Sequence, residues 1–365
     1  MKEGYYVDER IEVAATLSPE FFKSPSACAE AVDKIFARSW QWVADADVVK
    51  APGQVFPFQL LEGCLDEPLL LTRDESDRIH CLSNVCTHRA NLVCEGPGTE
   101  RMLRCRYHGR RFGLDGRFLS MPEFEGVEDF PSDQDHLPRC SFGEWGRFLF
   151  ASVNPARDFA EWIRPMAERM SWLPLDEFRF SSERSREYRV QAHWALYVEN
   201  YLEGFHVPYI HPDLNATIDY ESYATEIHDD CILQLAHAKE GEAAFDVPES
   251  SPDFGRKIAA YYWWLFPNLM FNFYPWGLSI NVVKPQSERS TKISFLSYVW
   301  DESKIGEGAG SQLDRVERED EVVVELVQTG IRSRLYRGGR FSPKRETGPH
   351  HFHRLLAKQM GHKEP

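Results

Sequence analysis

Nothing in the 365-residue sequence approaches the ~18–20 consecutive apolar residues of a membrane span, and residues 1–10 carry charges where a secretory leader needs an apolar run. These absences make a cytoplasmic protein with no membrane partner the expectation. Positive charge is in deficit: 42 Lys plus Arg face 57 Asp plus Glu, a formal charge of −15. Such a surface repels phosphate backbones, so nucleic acid is excluded as an expected partner. Cysteine is sparse, eight residues in all, which argues against a disulfide frame and for reduced thiols or metal ligands. No repeat or low-complexity tract is present, and no glycine-rich dinucleotide fingerprint precedes a βαβ pattern. What is there, 42% hydrophobic and 13% aromatic residues, suffices to bury cores in two domains or one large one.

Ser24-Pro25-Ser26 caps a segment in which Cys28, Ala31, Val32, Ile35, Phe36 and Trp40 recur at helical intervals. From 42 to 153 the character changes to short β-rich runs (55–61, 68–71, 148–153) between Gly, Pro and Asp turns, the pattern of a small all-β domain. Asn154-Pro155 marks a boundary. Beyond it 159–170 is helical in pattern, 187–194 alternates like a strand, and 301–311, with Gly306, Gly308 and Gly310, reads as a flexible connection before a long helix. The expected class is α+β, with a helical segment at 1–38, the all-β domain at 39–155 and a second domain at 156–365. His350-His351-Phe352-His353 lacks local carboxylate or thiol partners and reads as packing or surface histidines.

Two Cys-His pairs stand out. Cys86-Thr87-His88 is followed, after sixteen intervening residues, by Cys105-Arg106-Tyr107-His108-Gly109. Thiolates suit iron–sulfide clusters, and imidazoles in place of two thiolates remove negative charge and raise the reduction potential. A structural Cys2His2 zinc site is the competing reading of the same four residues. The spacing resembles the signature of Rieske [2Fe–2S] domains, which implies Cys86 and Cys105 on one iron and His88 and His108 on the other. Respiratory Rieske proteins add a disulfide-forming cysteine to each loop; Asn91 and Tyr107 stand in those places here, which implies the oxygenase and ferredoxin type. Cys81 and Cys94 read as buried small hydrophobes. Six arginines (101, 104, 106, 110, 111, 117) against Glu100 and Asp115 form a basic island, read either as a docking surface for an acidic redox partner or as a solvated loop with internal ion pairs.

In the second domain Glu203 and His206 are three residues apart, as on one helical face, and Pro208 breaks the helix so that His211 can turn back toward the same point. Two imidazoles and a carboxylate leave open positions on ferrous iron for O2. On the helix around Leu313–Ile331, Asp320 falls in an apolar stripe of Leu313, Val316, Val323, Val327 and Ile331. A buried carboxylate there needs a metal or, alternatively, an arginine partner. Glu317, Glu319 and Glu321 fall off the stripe and are expected in solvent.

Segment 199–211 resembles the iron-binding motif of Rieske non-haem iron oxygenase large subunits. The resemblance implies iron bound by His206, His211 and Asp320, and Glu203 as the carboxylate that bridges His206 to His108 of a neighbouring copy in a head-to-tail homotrimer. It also implies a catalytic domain with an antiparallel sheet gripped by helices, as in START-like folds. The cofactors implied are the [2Fe–2S] cluster, a mononuclear Fe(II), O2 as co-substrate and NAD(P)H acting through a separate flavin/iron–sulfur reductase, directly or by way of a ferredoxin. His193-Trp194-Ala195 departs from the Asn-Trp-Lys of many relatives, leaving the pocket entrance open to question. The aromatic run 261–276, Glu203 and Arg332-Ser333-Arg334-Leu335-Tyr336 resemble the choline, glycine betaine and carnitine monooxygenase branch. This implies hydroxylation of a C–H bond, such as an N-methyl group, in a quaternary ammonium substrate held by aromatic faces. Aromatic-ring dioxygenation and O-demethylation are the alternative chemistries, and an electron carrier or zinc-stabilised module is the non-enzymatic one.

Overall fold

The computed structural model describes residues 5–361. The chain forms two compact units, Ala37–Glu161 and the combination of Met1–Phe36 with Trp162–Pro365.

In the first unit Gln54–Leu60 pairs with Glu67–Arg73 and Gly98–Thr99, and Glu67–Arg73 pairs in turn with Ile79–Ser83. Leu69, Leu70 and Leu71 are all buried because successive side chains serve opposite faces. Leu70 joins Val55, Leu82, Leu103, Phe112 and the thiols of Cys86 and Cys105 in one core. Leu69 and Leu71 join Val49, Leu60 and Leu149 in another. The first core is the floor of the cysteine-bearing loops. Phe148–Ser152, buried throughout, lies between Gln41–Asp45 and Ser141–Trp145, and a three-stranded ribbon of Leu103–Arg104, Arg111–Phe112 and Phe118–Ser120 carries the second cysteine loop.

The second unit is built on a seven-stranded antiparallel sheet. Arg179–Val190 forms one edge beside Ser290–Val299, and the order then runs back through Gly277–Ser287, Leu269–Tyr274, Ile258–Leu265 and Cys231–His237 to Ala224–Ile227. Helices Trp194–Tyr201, Leu313–Ile331 and Thr347–Gly361 supply the covering layer. The α+β class and the helix-flanked antiparallel sheet are therefore as expected. Ile258–Leu265 is buried on both faces. Trp264 packs on Phe352 of the covering helix at 5.3 Å between ring centroids, while Tyr261 packs on Phe245 at 5.3 Å on the reverse face.

Several local expectations need correction. The strand expected over 187–194 starts at Arg179 and stops at Val190, because His193 caps the next helix: its Nδ1 accepts from the Ala195 N–H at 3.2 Å. His193, Trp194 and Ala195 are buried core residues, His193 against Phe21 and Phe22 and Trp194 against Phe36 and Phe352, rather than part of a pocket entrance. Segment 301–311 is packed, not loose. Ala309 is buried, and a Cβ on Gly310 would stand 2.3 Å from the Trp276 indole nitrogen, so only glycine lets the chain close here. The C-terminal histidines do pack: His353 accepts from the Leu17 N–H at 2.9 Å and pairs with Glu199, and His350 bonds the Asp8 carbonyl.

Candidate active site

The two cysteine loops of the first unit are built alike. In one, the Cys86 N–H donates to the Asn91 carbonyl at 2.9 Å and the Ala90 N–H returns to the Cys86 carbonyl at 3.0 Å; Cys105, Gly109 and Arg110 repeat both bonds at 2.9 and 3.0 Å. Both returning residues have left-handed backbones, Ala90 at φ 54° and Gly109 at φ 75°. Each loop so closed presents a buried thiol at its base and an imidazole toward solvent. The rings of His88 and His108 are 4.8 Å apart. Two soft thiols beneath two imidazoles fit a Rieske cluster. Asn91 and Tyr107 acquire roles of their own: the Asn91 amide donates toward the Cys105 sulfur at 3.7 Å, and Tyr107 lies against the His108 ring at 3.7 Å between centroids.

The basic island is not what its arithmetic suggested. Arg110 is 2% exposed, donates to the Asp135 carboxylate at 2.5 Å and lies 4.9 Å from the Phe118 ring. Arg117 pairs with Asp115 at 2.7 Å and Arg106 with Glu95 at 3.5 Å. Arg110 is a structural strut, and ion pairs take up part of the charge.

In the second unit helix Trp194–Tyr201 ends before Glu203, so Glu203 and His206 meet in a turn rather than on a helical face. One Glu203 oxygen accepts from the Phe205 and His206 N–H groups, and the other faces His206 Nδ1 at 2.7 Å. His206 opens the short helix Val207–Ile210, started by Pro208, and His211 closes it. Asp320 reaches both from the long helix, its Oδ1 lying 2.9 Å from His211 Nε2 and 3.5 Å from His206 Nε2. Donor atoms of the three residues all lie within 4.8 Å of one another. A divalent ion fits this set. Both Nδ1 atoms are engaged by carboxylates, which leaves both Nε2 atoms directed at one point.

The residues around that point were only partly expected. Asn200 donates to Asp320 Oδ1 at 2.6 Å. Glu319, expected in solvent, faces His211 Nδ1 at 2.8 Å and is itself held by Arg315 at 3.0 Å, which also binds Asp213. Glu317 lines the cavity beside Asp320. The long helix departs in part from the expected stripe: Ile331 is buried as expected and Leu313 and Val316 line the cavity, but Val324 and Gln328 are also buried and Val327 is 44% exposed. Gln328 is inward because its side-chain oxygen accepts the His193 N–H at 2.8 Å, a polar use that hydrophobic periodicity cannot show.

A cavity of about 730 Å³, its mouth included, opens beside the His206, His211 and Asp320 cluster. Tyr201, Tyr223, Tyr262 and Tyr274 form much of its wall, with the amides of Asn272 and Asn281 between them. Tyr262 and Tyr274 meet edge to face at 5.9 Å, and Tyr274 stacks on Trp276. Of the aromatic side chains in the run 261–276, Tyr262 and Tyr274 alone reach this wall.

Residues 39–131 match the Rieske [2Fe-2S] domain family, and residues 177–362 match the ring hydroxylating alpha subunit (catalytic domain) family. The chain belongs to the Rieske non-haem iron oxygenases. This oxygenase is 31% identical over 366 residues to the chloroplastic choline monooxygenase of Arabidopsis thaliana, covering 95% of this chain and 83% of the relative. It is 27% identical to the carnitine monooxygenase oxygenase subunit of Escherichia coli K12, covering 94% of each. Its fold is similar to that of a quaternary ammonium Rieske monooxygenase crystallised with L-carnitine, with TM-score 0.75, 22% identity and coverage of 96% of this chain and 97% of the other. It is also similar to naphthalene 1,2-dioxygenase with indole bound, with TM-score 0.70, 16% identity and coverage of 95% and 92%. As an oxidoreductase of this family it uses a [2Fe–2S] cluster and a mononuclear iron, and it needs an electron-donating reductase and a small-molecule substrate. No helix among the described residues is long and apolar enough to cross a membrane.

Proposed function

We propose that this oxygenase hydroxylates a C–H bond of a small quaternary ammonium compound, a reaction that removes the methyl group when the bond belongs to an N-methyl. The observation that carries this reading is the tyrosine-walled cavity beside His206, His211 and Asp320. Aromatic faces attract a quaternary ammonium ion that cannot donate hydrogen bonds. Choline and carnitine monooxygenases among the relatives support it.

In this reading Cys86 and Cys105 hold one iron of the cluster, His88 and His108 the other, and His206, His211 and Asp320 hold the mononuclear iron. Together these centres supply electrons and the site of O2 activation. The chain's own residues do the positioning. Glu203 and Glu319 fix the two ring orientations, and Asn200 turns the Asp320 carboxylate toward the imidazoles. Glu203 also links His206 to His108 of a second copy in a head-to-tail homotrimer. The oxygenase works in the cytoplasm, where a flavin/iron–sulfur reductase oxidising NAD(P)H donates the electrons, directly or through a ferredoxin.

The test is oxygen uptake by the loaded oxygenase with a surrogate reductase and a panel of choline, carnitine and glycine betaine beside neutral aromatic compounds. Uptake coupled to an oxidised quaternary ammonium product is the expected result. Coupling with aromatic compounds alone would replace this reading by ring oxidation.

A further inference from the structure

Glu317 stands out in the cavity wall. It lies one turn before Asp320 on the long helix and lines the same space as Tyr262 and Tyr274. It makes no hydrogen bond or ion pair among the described residues, and no Lys or Arg lines the cavity. Burial, reinforced by Asp314, Asp320 and Glu321, pushes its carboxyl well above the usual range; Arg186, on the exposed edge strand, pulls the other way. Arg186 is already occupied, its guanidinium donating to the Ser185 carbonyl at 2.8 Å and to the Glu183 carbonyl. A recessed carboxylate with no cationic side chain beside it is costly, and a cationic ligand lowers that cost.

We propose that Glu317 reads the charge of the substrate, acting as counter-ion to the ammonium group, so that the cavity selects a small quaternary ammonium alcohol over a zwitterion bearing a carboxylate. This rests on the quaternary ammonium reading above. Tyrosine faces alone do not make this distinction, because they meet the same trimethylammonium head in both kinds of ligand. The carboxylate of a zwitterion would enter a wall that already holds Glu203, Glu317 and Asp320 and offers it no cationic side chain. Repulsion of the wrong ligand then adds to attraction of the right one. Arg184, Arg186 and Arg315 line a neighbouring cleft that shares Leu313 and Glu317 with this cavity. A zwitterion gains them only by reaching past Glu317.

The test is equilibrium binding to the metal-loaded oxygenase, held anaerobic so that no turnover occurs. Choline, its uncharged isostere 3,3-dimethylbutan-1-ol and L-carnitine are titrated calorimetrically into the wild type, Glu317→Gln and Glu317→Asp, with iron content checked in each. The wild type is expected to bind choline about 30-fold more tightly than either other ligand, the scale of losing one partner of a desolvated charge pair. Glu317→Gln is expected to lose at least about 10-fold for choline and little for the isostere, while Glu317→Asp keeps the preference. Three results overturn the proposal: equal choline affinity in wild type and Glu317→Gln, equal losses for choline and isostere, or wild-type carnitine binding as tight as choline. Failure of every quaternary ammonium ligand to bind the wild type is different, because it removes the substrate reading on which this inference rests.

Discussion

The two ligand clusters are put together in opposite ways. The four cluster residues lie within 86–108 on two loops closed by matching backbone hydrogen bonds, so local turns and one small core set their geometry. The other three residues come from a turn at 206–211 and from Asp320 on a distant helix, and carboxylates and an amide orient them. A site made by local loops is rigid through its backbone. A site made by distant elements depends on side chains that surround the ligands.

Breaking the distant site should therefore leave the local one whole. Asp320→Ala is expected to abolish turnover and lose the mononuclear iron while the cluster's absorption and sulfide content stay unchanged; loss of both centres would show that the sites are not independently built. The local site should instead fail through its scaffold. Arg110→Ala removes one partner of a buried ion pair, and about 3–5 kcal/mol of stability of the β unit is expected to go with it, read by denaturant unfolding. An unchanged midpoint, with slower reduction by the reductase, would return Arg110 to a docking role.

Smaller changes sharpen the contrast. Glu203→Gln keeps the size but loses the charge facing His206, and turnover is expected to fall by up to about 100-fold with both metals retained. Full turnover would remove its linking role. Glu319→Gln weakens the support of His211, and iron affinity, measured by chelator competition, is expected to drop about 10-fold while the cluster is untouched.

The effect most remote from the iron ligands concerns pH and the fold around the distant site. Burial drives the His193 imidazole down to about 3, whereas an unfolded histidine takes its proton near 6.5. Between those values the unfolded state binds more protons, so stability falls as pH drops from 6.5 toward 3. Asparagine retains a side-chain acceptor for the helix cap, so for each pH unit lost in that window the wild type should lose about 1.4 kcal/mol more than His193→Asn. Parallel pH profiles would show that the imidazole is charged in the fold.

The same contrast explains what was legible beforehand. The cysteine loops repeat in sequence because they repeat in backbone, although Ala90 hid its equivalence to Gly109 by reaching a left-handed conformation without being glycine. The distant site offered His206 and His211 by spacing and Asp320 by a stripe read slightly off its true face. Gln328 and Glu319 were missed because buried polar contacts to His193 and His211 have no hydrophobic period. The lining tyrosines could not be separated from core aromatics, since Ile258–Leu265 is buried on both faces and shows no alternation. The charge count around Arg110 misled because Asp135, its partner, lies outside the island.

Iron and acid-labile sulfide analysis of the anaerobically purified chain tests the central claim most directly. Two irons and two sulfides from the cluster and one further iron at His206, His211 and Asp320 are predicted, three irons in all. A chain that holds only the cluster irons when fully loaded, or zinc at the cysteine loops, contradicts the account.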